Sequence, residues 1–238
     1  MRLLAAFLND VRFQWRHRFY FVYLLVCSLY LLLLHAIPAA YKETVTVLLT
    51  FSDPSALGLI FAGGIVLLEK DQGIHVSLFV TPLRLREYLL GKSASLALLS
   101  TMAAWAIHGL SLGMPAAPAL FTVGVALTST LCTLLSIGIV VRTQSVNGFL
   151  LLTQLYALPL ALPLLRLFEI GHPAWYAILP TNGSLLLIGS VYRSVTIMET
   201  VYSIAILWAG NVIVYFWAKR SIERHLLSGT ERGKSDRC

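Results

Sequence analysis

The chain is short of charge. Asp, Glu, Lys and Arg make up 12% of its 238 residues, about half the share of an ordinary soluble domain. That excludes a solvated globular surface over most of its length. Cysteine is scarce too: Cys27 and Cys132 fall inside apolar runs and Cys238 is the last residue. Neither a disulfide framework nor a metal-ligand spacing follows from them. The six His residues do not cluster. No G-x-x-x-x-G-K-S/T phosphate loop is present, so the chain has no such cradle for ATP. No H-E-x-x-H occurs, and Gly183-Ser184 lacks a G-x-S-x-G frame, so Ser184 reads as a helix cap rather than a nucleophile. Nothing in the chain supports chemistry on a substrate, and it reads as a non-enzyme with no metal or cofactor of its own.

What fills the chain is apolar: 58% of residues are hydrophobic and mean hydropathy is +0.78. The apolar residues come in runs near the ~20 residues that cross a bilayer as a helix. The fold class expected is an all-α integral membrane protein of one domain. Residues 1–18 form an amphipathic helix, with Leu4, Phe7, Leu8, Val11 and Trp15 on one face and Arg2, Asp10, Arg12 and Arg16 on the other. Such a helix lies in the interface against membrane lipids. The apolar run 19–38 is longer than the core of a signal peptide and follows that basic segment, which predicts a retained span.

Six spans are predicted within 19–220, at about 19–38, 54–68, 93–112, 119–141, 148–167 and 199–218. Residues 39–52 read as a short outer segment whose apolar part, 45–51, could begin span two. Ser52-Asp53-Pro54 breaks that run, and Pro54 suits a first helical turn. Lys219 and Arg220 are expected to stop span six, with 221–238 a polar tail. Between spans five and six, the apolar run 185–191 is too short to cross and reads as short re-entrant helices in the outer leaflet.

The net charge of +7 does not point to nucleic acid, because the basic residues sit at span edges. Fifteen of the 18 Lys and Arg fall on segments assigned to the inside; the outside holds Lys42, Arg166 and Arg193. The expected topology is multi-pass with both termini cytoplasmic.

The inner loop 69–92 is the most informative stretch. Gly73 permits a sharp turn as span two leaves the membrane. Residues 74–80 form an apolar island that, as a helix, puts Ile74 and Leu78 on one face with His75 and Phe79 adjacent. Thr81-Pro82 ends it, and Arg84 to Lys92 leads into span three. An exposed apolar knob needs a cover. Either the membrane interface or a soluble partner supplies it.

Glu69, Lys70, Gly73, Leu78, Thr81, Pro82, Glu87, Tyr88, Gly91 and Lys92 stand in register with the loop pattern of ABC-2 type transporter permeases, which this chain resembles. The N-terminal helix, the six spans and the outer segment before the last span match as well. The resemblance implies a membrane subunit of an exporter, multidrug- or antibiotic-export-like, in a bacterial cell membrane. ATP and Mg would be bound by separate ABC ATPase subunits, and a second permease subunit would complete a homo- or heterodimer. Residues 74–81 would be the coupling helix, with Glu69, Gly73, Ile74, His75, Leu78, Phe79, Thr81 and Pro82 the coupling residues. The departure is at Ile74, His75 and Val76, where many members carry a Thr and an acidic residue.

Polar residues inside the spans either stabilise packing or line a path. Span four is rich in hydroxyls, among them Thr130 and Thr133. Span five offers Gln154, Tyr156, Pro159 and Pro163, and span six Asn211, expected to face the bundle interior. Gly58, Ala62, Gly109 and Gly113 read as close helix packing. Two other readings are a membrane-anchored sensor or immunity factor that sequesters a ligand, and a secondary transporter. The last is disfavoured because the inner two-thirds of the expected spans hold no Asp or Glu.

Overall fold

The computed structural model describes residues 2–71, 84–143 and 145–227, which are helical and carry no strand. The helices are α1 (Arg2–Arg16), α2 (Phe19–Ala36), α3 (Ala39–Ala56), α4 (Ala62–Asp71), α5 (Leu85–Ser111), α6 (Pro118–Val140), α7 (Val146–Ala161), α8 (Pro173–Tyr176), α9 (Pro180–Gly189) and α10 (Ile197–Ile222). Among the described residues, six stretches are long and apolar enough to cross a membrane: Phe19–Ala36, Ala39–Lys70, Leu85–Ser111, Pro118–Val140, Val146–Phe168 and Ile197–His225.

Span two corrects the expectation at 39–54. Ser52-Asp53-Pro54 does not break it. α3 runs through Pro54, a π-helical turn at Leu57–Phe61 follows, and α4 continues to Asp71. The Ser136 hydroxyl donates to the Leu59 carbonyl within the π-helical turn at 2.6 Å. Asp53 therefore sits inside a span rather than at its edge. The expectation that the span interiors hold no carboxylate fails with it.

α6 is the most buried span and packs against α10, α5, α9, α3 and α4. Lipid offers apolar side chains no advantage over one another, so close approach and internal hydrogen bonds hold such a bundle. A Cβ on Gly138 would lie 2.1 Å from the Trp217 ring, and one on Gly58 would lie 2.6 Å from Cys132 Cβ. The hydroxyls of span four act likewise: Ser129 pairs with Ser100 at 2.9 Å, and Thr128 donates to Ser184 at 2.6 Å. Ser184 thus lies within α9 as a packing partner, not as a cap. Gly109 and Gly113 are not packing residues. A Cβ on either would meet no other heavy atom within 4 Å, and Gly113 follows α5 at φ 90°.

α9 has ten residues, roughly 15 Å. It cannot cross, yet Thr181 to Ile188 are buried against α6, α10 and α3. At the far end of the chain, α10 passes Lys219 and Arg220. Arg142 explains why: its guanidinium donates to the Ser221 hydroxyl at 2.7 Å and stacks 4.4 Å from the Trp217 ring, while Ser221 donates to the Gly138 carbonyl at 2.9 Å.

Candidate coupling site at the base of spans two and three

The expected coupling residues Gly73, Ile74, His75, Leu78, Phe79, Thr81 and Pro82 lie outside the described residues. The two helix ends that flank them are described. At the start of α5 the Glu87 carboxylate accepts from the Arg84 N–H at 2.8 Å, occupying an otherwise unpaired donor of the first turn.

One turn further in, Lys92 is fully buried, 1% exposed. Its ammonium bonds Glu69 Oε1 at 2.7 Å and Asp10 Oδ1 at 3.1 Å. The Tyr88 hydroxyl donates to Glu69 Oε2 at 2.7 Å, and the Tyr88 ring centroid lies 5.2 Å from Lys92 Nζ. An ammonium buried without a partner would be prohibitive. Here two carboxylates share it, one from the end of α4 and one from α1. Burial holds the Asp10 carboxyl above the usual carboxylate range, although Lys92 pulls the other way.

Asp10 was expected on the polar outward face of α1. Instead Asp10 turns onto α5, while Arg12 and Arg16 of that face stay exposed. Gln14 is buried and donates to Ser95 Oγ at 3.1 Å. Gly91 makes the approach possible, because a Cβ there would stand 3.1 Å from Ala6 Cβ and 3.3 Å from the Phe7 amide nitrogen. Leu4, Leu8 and Trp15 remain exposed on the opposite side. Lys70 donates to the Thr143 carbonyl at 3.0 Å, joining the α6–α7 connection to the same end. Together with the Arg142–Ser221 bond, these ties gather α1, both flanks of the loop and the end of α10 on one side of the bundle.

Sequence reasoning placed Glu69, Tyr88, Gly91 and Lys92 in one motif but assigned no contact among them, and it missed Asp10 and Gln14. The available signal was Asp10 itself, an isolated carboxylate among the arginines of α1.

The six pathway candidates do not converge. Gln154 lines a cleft of about 310 Å³ between α3 and α7, with Ser52, Ser55, Thr153, Thr181 and the apolar Phe51 and Leu164. Thr153 and Thr181 bury hydroxyls that have no hydrogen-bond partner among the described residues. Tyr156 and Pro159 are exposed on another face of span five, with Tyr156 5.8 Å from the Trp217 ring. Thr130 bonds its own helix at the Ala126 carbonyl, 2.8 Å away, and Thr133 is fully buried. Asn211 is buried and donates to the Leu207 carbonyl of its own helix at 2.9 Å and to the Leu127 carbonyl at 3.1 Å, the bond that ties α10 to α6.

Six apolar spans around a hydroxyl-lined core, with an amphipathic helix bound to the base of spans two and three, define a multi-pass membrane protein. The chain belongs to the fluoroquinolones export permease protein family, whose model matches residues 1–230. It is 27% identical over 202 residues to the fluoroquinolones export permease proteins of two Mycobacterium tuberculosis strains, CDC 1551 / Oshkosh and H37Rv, covering 82% of this chain and 83% of each relative. This agrees with the ABC-2 type resemblance of the loop. No solved structure matches the chain.

Proposed function

We propose that this chain is the membrane subunit of an ATP-driven exporter of small amphipathic drugs, the fluoroquinolones named for its relatives among the candidates. A separate ABC ATPase docks on residues 74–81, and the end of the bundle that carries α1 faces the cytoplasm. A second permease subunit completes the path by alternating access. The observation that carries this reading is the buried Glu69–Lys92–Asp10 lock. It fixes the two ends of the loop to each other and to α1. A force applied to the loop then moves α4, α5 and α1 as one piece rather than bending a free connection. The cleft at Gln154, apolar with a few hydroxyls, suits a ligand of that chemistry.

The test is Phe79→Asp, which puts an unpaired charge into the proposed ATPase contact. The variant is expected to insert normally and to lose either co-purification with its ATPase or transport of a fluoroquinolone from inverted vesicles. Wild-type levels of both would remove residues 74–81 as the coupling element.

A further inference from the structure

Asp53 lies deep in span two, ten residues beyond Glu43 and sixteen before Glu69. At 1.5 Å per residue these are about 15 and 24 Å along the helix. Its side chain is buried, and it accepts a hydrogen bond from the equally buried Tyr23 hydroxyl of α2. The setting is apolar: Tyr23 packs with Leu57, Leu99 and Ala103, and Tyr20, Cys27 and Phe61 close around them.

No cation stands at this level. α2 carries no charged side chain between Arg18 and His35, α5 none between Lys92 and His108, and Asp53 alone is charged in span two between Glu43 and Glu69. The titratable groups facing Asp53 are Tyr23 and, within electrostatic reach, Cys27 and Tyr30, all on α2. Among the described residues Asp53 forms no ion pair and belongs to no group of metal-ligating side chains. A carboxylate in such a place is costly to keep charged, and an intramembrane ionisable residue is retained for a task.

The geometry also gives the site a way to open. Pro54 and the π-helical turn at Leu57–Phe61 directly follow Asp53, and irregular turns of this kind let a helix rearrange. α2 is the least buried of the six spans, with Leu24, Leu25, Leu29 and Leu32 turned outward.

We propose that Asp53 and Tyr23 form a proton-binding site inside the membrane, loaded while α2 is packed on α3 and α5 and emptied when that seam parts. On parting, the carboxyl O–H bond breaks, the electron pair stays on Asp53 and the proton passes to water; closing reverses the step. Each cycle of the seam exchanges one proton with solvent. Acid favours the packed state, by up to about tenfold per pH unit over the range in which the packed site still holds its proton and the open site has already released it. The site stands on its own geometry and does not require the ATPase reading.

The experiment is infrared spectroscopy of the purified chain in lipid nanodiscs at neutral pH, comparing wild type, Asp53→Asn and Tyr23→Phe. Wild type is expected to show a protonated-carboxyl band that is missing in Asp53→Asn and shifted in frequency in Tyr23→Phe, which removes the hydrogen bond. If Asp53→Asn does not fold, carbon-13 labelling of aspartate in wild type and in Tyr23→Phe gives the same assignment. The label must move the band, and loss of the tyrosine hydroxyl must shift it. Absence of a protonated-carboxyl band that responds to either change overturns the proposal.

Discussion

Lys92→Met is the sharpest test of how the base of the bundle is held. The substitution keeps the length and apolar bulk of a side chain that is 1% exposed and removes only its charge and donors. It leaves Glu69 and Asp10 facing each other with side chains 8% and 14% exposed. Removing one partner of a buried ion pair costs about 3–5 kcal/mol. Glu69 keeps the 2.7 Å bond from Tyr88, so the loss falls mainly on Asp10 and on the hold of α1. Glu69→Gln should cost less, about 1–3 kcal/mol, because Lys92 retains Asp10. The triple variant Lys92→Met, Glu69→Gln, Asp10→Asn carries no buried charge and should recover much of the loss, since replacing a buried pair whole is close to neutral.

The penalty should also depend on pH. Burial already raises the Asp10 carboxyl above its unfolded range, and without Lys92 nothing opposes that. A group whose folded affinity for the proton exceeds its unfolded one takes up a proton on folding, so stability rises as pH falls. The cost of Lys92→Met should therefore shrink from about pH 7 toward the carboxylate range. The assay is reversible unfolding in mixed lipid–detergent micelles, followed by the five tryptophans. A Lys92→Met variant within about 0.5 kcal/mol of wild type, the scatter of ordinary surface changes, would refute the lock. So would a triple variant less stable than the single one.

Gly91→Leu should push α1 off α5, because its Cβ alone stands 3.1 Å from Ala6; loss of a disulfide cross-link engineered between Gln14 and Ser95 reads this out. Gly138→Ala forces a methyl to 2.1 Å from the Trp217 ring and should cost about 1–3 kcal/mol as overpacking, with a changed tryptophan emission. In a background without native cysteines, a cysteine at position 230 should be labelled from the cytoplasm and one at position 42 from outside. Labelling of both from one side contradicts the orientation.

Hydropathy made the number of spans and their approximate places readable, because burial in lipid is decided residue by residue from the side chain alone. Of the loop motif, Gly73 and Pro82 lie outside the described residues, and Gly91 acts by letting Ala6 of α1 approach α5. The course of span two was not readable. Ser-Asp-Pro at the edge of an apolar run is a stop signal by local rules. It is helix interior here because packing holds it: Phe51, Asp53 and Pro54 are buried within α3, and Ser136, 77 residues from Leu59, donates to a carbonyl of the turn that follows. The same limit hid the lock. Glu69 and Lys92 are 23 residues apart and Asp10 and Lys92 are 82 apart. Whether a charge is solvated or buried against a partner depends on what packs beside it. The chain by itself determined which segments enter the membrane. Only the packed helices decided that Asp10 faces inward, that Asp53 lies mid-span and that the pathway candidates do not share one surface. Those outcomes depend on approach distances between helices, which no local pattern of residues contains.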